Sequence, residues 1–81
     1  VTVYVVEDFE FFKECARSAK YRLYREREMG DEVEMKLRAG SMGFKKVLKK
    51  NDPELKQIRE FIEREGFVRV VGVEQDDAFF L

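Results

Sequence analysis

The segment from Lys36 to Lys50, KLRAGSMGFKKVLKK, lies within a stretch, residues 35–51, that holds six bases and no acid. Lys36, Arg38, Lys45, Lys46, Lys49 and Lys50 place positive charge on both sides of Gly40, Ser41, Met42 and Gly43. Glycines at a helix start let backbone N–H groups approach a phosphate, and Ser41 is a suitable N-cap for such a helix. The chemistry implied is polyanion binding, with lysines neutralising phosphates while Gly40 and Gly43 admit the backbone. A second group lies upstream. Laid at helical intervals, Arg17, Tyr21 and Tyr24 share a face with Lys20 beside them, and rings among cations suit the stacking of unpaired bases. Glu10 and Glu14 extend along that face, so packing of the two rings against a neighbouring subunit is the competing use.

The run Gly40-Ser-Met-Gly43 with a basic helix behind it resembles the GxxG loop of KH domains, which clamps a nucleic-acid backbone. The loop joins two helices in that family, whereas here a strand leads in. The residues E7-D8, K13, A16-R17, G30-D31 and V33-E-M-K-L-R-A-G40 look like the C-terminal domain of bacterial translation initiation factor 3, a βαβαββ RNA-binding domain. That resemblance implies RNA as ligand. This sequence departs from the family in a longer first helix, in GSMG replacing the basic residues after the strand, and in a helix break at Asp52-Pro53.

Other chemistry finds few carriers. The chain has no His and a single Cys, so neither a zinc site nor a disulfide is expected. Hydroxyls outside tyrosine are Thr2, Ser18 and Ser41, and no carboxylate pair stands apart from the charged surface, so we expect no enzyme and no cofactor. Cys15 lies beside an apolar stripe and reads as a small packing residue. The terminal QDDAFFL shares a Gln and paired aromatics with sliding-clamp-binding peptides, but without the gap before the rings. No apolar run is long enough to span a membrane and no secretory signal opens the chain, so a cytoplasmic protein is expected.

The formal net charge is −1, yet the signs fall in blocks: residues 17–27 hold five bases to one acid, and residues 28–34 four acids. With 41% charged residues the composition also suits a thermophilic protein laced with ion pairs. RNA or single-stranded DNA is favoured over a duplex read by sequence, while the low pI of about 5.6 counts against strong nonspecific DNA binding and keeps a second reading close behind. The alternative is a protein-interaction or regulatory module acting as a homodimer.

The elements that must hold these residues follow from periodicity. VTVYVV predicts a central strand buried on both faces. Phe9, Phe12, Ala16, Ala19 and Leu23 predict one helix from Phe9 to about Glu28, capped by Glu7 or Asp8. Val33, Met35, Leu37 and Ala39 alternate with polar residues and predict a half-buried strand. Phe44, Val47 and Leu48 predict a short helix after Ser41, and Asp52-Pro53 starts another, with Leu55, Ile58, Phe61 and Ile62 inward and Gly66 as terminator. FVRVVGVE predicts a further strand and AFFL a short pairing strand. The expected fold is thus α+β: a small two-layer domain over residues 1–81, a three- or four-stranded sheet with helices on one face, in the order βαβααβ(β). Its exposed aromatic surface predicts a homodimer.

Overall fold

In the computed structural model, which describes residues 3–70, the chain runs β1 (Tyr4–Val6), α1 (Phe9–Ala16), β2 (Arg22–Met29), β3 (Glu32–Ala39), β4 (Met42–Lys49), α2 (Pro53–Glu65) and β5 (Val68–Arg69). This is an α+β domain with a five-stranded mixed sheet, ordered β1-β4-β3-β2-β5. β2, β3 and β4 form an antiparallel meander, and the short strands β1 and β5 add parallel to β4 and β2. The order is therefore βαβββαβ, with neither the predicted βαβααβ nor the βαβαββ of the initiation-factor resemblance. The predicted strand AFFL lies outside the described residues, as does the second half of FVRVVGVE, whose first half contains β5.

Both helices form where their caps require. The Asp8 carboxylate accepts from the backbone N–H groups of Glu10 and Phe11 and starts α1. Asp52 accepts from Glu54 N–H ahead of Pro53 and starts α2. Gly66, left-handed at φ 76°, ends it, and Phe67 N–H folds back to the Ile62 carbonyl. Phe9, Phe12 and Ala16 from α1 and Leu55, Ile58, Phe61 and Ile62 from α2 pack onto Val33, Met35, Leu37 and Ala39 of β3 and onto Phe44 and Leu48 of β4. Aromatic rings knit this layer, Phe9 lying 5.4 Å from Phe61 and 5.6 Å from Phe44 between centroids.

One predicted helix, and the second half of another, are strands. The first helix ends at Ala16 instead of near Glu28, its last turn closed by Ala19 N–H donating to the Ala16 carbonyl. Leu23 continues the apolar spacing by coincidence, since it sits in β2 on the face away from the helices, opposite Arg38. The residues after Ser41 form β4, in which Phe44 and Leu48 are buried but Val47 points to the opposite face and is 42% exposed. Pairing overrides local helix preference because Gly30–Asp31 and Gly40–Ser41 are two-residue hairpin turns that lock β2, β3 and β4 in register. Gly40 takes φ 63°, a conformation its missing Cβ permits. β1 is the outer strand of the described sheet, with Tyr4 64% exposed, and not the twice-buried central strand its composition predicts.

Candidate nucleic-acid interface

Strand alternation separates the basic residues by face. Opposite the helices, β2 contributes Leu23, Arg25, Arg27 and Met29, β3 contributes Glu32, Glu34, Lys36 and Arg38, and β4 contributes Gly43, Lys45, Val47 and Lys49. Among these described residues six cations face two carboxylates. Two bases of the upstream basic segment, Arg25 and Arg27, thus share one surface with Lys36, Arg38, Lys45 and Lys49 of the downstream one. At its centre Arg25, Lys36 and Lys45 stand directly opposite one another across three strands. Like charges in that relation repel. Glu34 offsets them, its carboxylate 3.7 Å from Lys36 Nζ and 4.0 Å from Lys45 Nζ.

Accessibility divides the row. Lys36 is only 1% exposed, and Arg38 and Glu34 are also buried. Lys36 and Arg38 therefore set the field of the surface and do not stand out as direct phosphate contacts, whereas Lys45 and Lys49 are open at the rim. Lys49 pairs with Asp31 at 3.4 Å and Lys50 with Glu28 at 3.6 Å. Lys46 points the other way, toward the helices, where Glu54 holds it. The acid-free segment thus draws its counter-charges from neighbouring strands and from α2.

The loop GSMG is neither a strand-to-helix junction nor a KH-type clamp. Gly40 and Ser41 are the hairpin turn, while Met42 and Gly43 belong to β4, and Gly43 is buried between Val5 and Arg38. Ser41 caps no helix; its carbonyl accepts from Tyr4 N–H. Gly43 is consequently closed to a nucleic-acid backbone.

The turn instead meets the α1–β2 loop. There Cys15, Ser18, Ala19, Lys20, Tyr21, Ala39, Gly40, Ser41 and Met42 line a concavity of about 380 Å³ with no carboxylate among them. Gly40 N–H donates to the Tyr21 carbonyl at 3.2 Å, and Arg38 Nε donates to the Gly40 carbonyl at 3.2 Å. The Arg38 guanidinium lies over the Tyr21 ring, Cζ 5.8 Å from its centroid. Lys20, Tyr21, Gly40 and Ser41 are thereby brought together. Arg17, the cap of α1, lies toward Glu14 and Glu65 in a separate groove. Tyr24 is parted from Tyr21: it faces the helices and packs against the core.

Arg25, Arg27, Ser18 and the carboxylate of Glu34 carry no mark of their own in the sequence. Gly-Asp and Gly-Ser, each between runs of eight strand residues, were the hairpin signals from which their faces follow. Among the described residues no group of His, Cys, Asp or Glu side chains gathers to hold a metal ion, and no helix is long and apolar enough to cross a membrane. Comparison with protein-family models, curated proteins and solved structures finds no match.

Proposed function

We propose that this is a small nucleic-acid-binding protein, and not an enzyme, that takes RNA or single-stranded DNA on the basic face of its sheet. The observation that carries the reading is the convergence of Arg25, Arg27, Lys36, Arg38, Lys45 and Lys49 on one face. Buried Lys36 and Arg38 strengthen the positive potential, and the exposed Lys45 and Lys49 meet phosphates, Lys49 by exchanging its exposed partner Asp31 for the ligand. Rim pairs of this kind are weak enough for a polyanion to displace.

Titration of labelled single-stranded oligonucleotides tests the reading. Affinity falls with rising salt, with a log-log slope of about −0.7 per phosphate contacted. The Lys45→Glu/Lys49→Glu double variant loses far more affinity than Arg59→Glu/Arg64→Glu, because Arg59 and Arg64 belong to α2, Arg59 paired to Glu26 and Arg64 to Glu65. Absence of binding by the wild type at low salt, or equal losses in the two variants, refutes it.

The second reading is a protein-interaction module acting as a homodimer. Tyr4 and Val5, both exposed on the outer strand β1, favour it.

A further inference from the structure

Resting on the nucleic-acid reading, we infer that Tyr21 is the stacking platform for one unpaired nucleobase, seated in the concavity at the Gly40–Ser41 end of the sheet. Tyr21 is 48% exposed, yet its surroundings are fixed. Arg38, buried and tied through Nε to the Gly40 carbonyl, supports the ring, and Gly40 N–H holds the Tyr21 backbone. An aromatic residue held in place before the ligand arrives loses little freedom on binding. Lys20 and Ser41 line the same concavity, one able to meet a phosphate and the other to donate or accept a hydrogen bond.

Shape sets the ligand class. A concavity of about 380 Å³ suits a nucleotide unit, near the lower end of the roughly 300–1,000 Å³ of small-ligand clefts. Bases inside a duplex are already stacked on their neighbours and present only edges, so a ring of this kind selects unpaired bases. The absence of carboxylates from the lining removes the repulsion that a phosphate would meet at the exposed Asp31 and Glu28. Tyr24, packed toward the helices, takes no part.

A two-by-two cycle tests this, using full-length wild type and Tyr21→Leu with an intact single strand and with its abasic counterpart, which keeps phosphates but lacks bases. Loss of the ring should weaken binding of the intact strand by about 5- to 150-fold and leave abasic binding almost unchanged. Tyr21→Phe, which keeps the ring, should bind as the wild type does. A parallel arm with RNA and DNA of one sequence identifies the source of the nucleotide as the tighter binder. Equal losses on intact and abasic strands, or none on either, overturn the stacking assignment while leaving the salt-dependent reading intact. Absence of wild-type binding to both strands at low salt defeats that broader reading instead.

Discussion

Lys46 Nζ lies 2.9 Å and 3.0 Å from the two carboxylate oxygens of Glu54, joining β4 to the first turn of α2. The hydrogen bond to Glu54 is the main cause holding the Lys46 amine above its ordinary 10.5; the negative charges of Glu54, Asp52 and Glu7 add to it and burial opposes it. A group whose pKa is raised by folding stabilises the fold in full below its unfolded value, and that contribution disappears as pH climbs through the folded value. The stability difference between wild type and Glu54→Gln should therefore stay level through neutral pH and shrink only above 10.5. Urea unfolding of both across that range checks it. The difference itself should be small, since both side chains are partly open to solvent.

Core packing predicts a contrast between two leucines. Leu37 is fully buried under the helices, so Leu37→Ala should cost about 2 to 5 kcal/mol. Leu23 is only half-buried on the other face of β2, and Leu23→Ala should cost clearly less. Equal costs in denaturant titrations would mean that both faces of the sheet are packed alike.

What could be read in the sequence depended on whether a residue's pattern had one solution. Val33, Met35, Leu37 and Ala39 alternate strictly, and β3 is where that alternation places it. Asp52-Pro53 and Gly66 bracket α2 because cap and terminator chemistry is local. Phe44, Val47 and Leu48 satisfy a helical spacing as well as a strand in which Val47 faces outward, so periodicity over so short a run does not decide. Likewise Ala19 and Leu23 extend the spacing of Phe9, Phe12 and Ala16 although the chain has already turned. The basic segments were visible as composition, but the meeting of Arg25 and Arg27 with Lys36, Arg38, Lys45 and Lys49 on one face follows from the β2–β3–β4 register, which the two hairpin turns specify.

The second of those turns offers its own test. A Cβ at Gly40 would meet Ala19 Cβ at 3.8 Å, an ordinary contact, so the penalty of Gly40→Ala comes from the backbone at φ 63°. It should amount to about 1 to 2 kcal/mol, with Gly40→Asn losing less because Asn tolerates the left-handed region. A chemical-denaturation series of the three proteins measures both.

Association separates the two functional readings. If two copies join through β1, sedimentation of the wild type at high protein concentration should give a dimer, and Val5→Lys a folded monomer. A lysine on an outer strand obstructs strand-to-strand pairing without disturbing the helical core, and Val5 is already exposed. Binding of nucleic acid by that monomer with unchanged affinity would show that the basic face works without a partner.

Glu34 links stability to binding. Its buried carboxylate lies 3.7 Å from Lys36 Nζ and 4.0 Å from Lys45 Nζ, beside the row Arg25–Lys36–Lys45. Glu34→Gln leaves that row with less compensation, and a buried pair broken on one side costs about 3 to 5 kcal/mol. The exposed pair of Asp31 with Lys49 is a control, since Asp31→Asn should cost less than about 1 kcal/mol. Removing the same carboxylate strengthens the positive field of the face, so the variant that unfolds more easily should bind single strands more tightly. Added oligonucleotide should then raise the melting temperature of Glu34→Gln more than that of the wild type, because a ligand that binds only the folded form stabilises it according to its affinity. Thermal melts with and without oligonucleotide give both quantities; a destabilised Glu34→Gln with no gain in affinity would assign the carboxylate to folding alone.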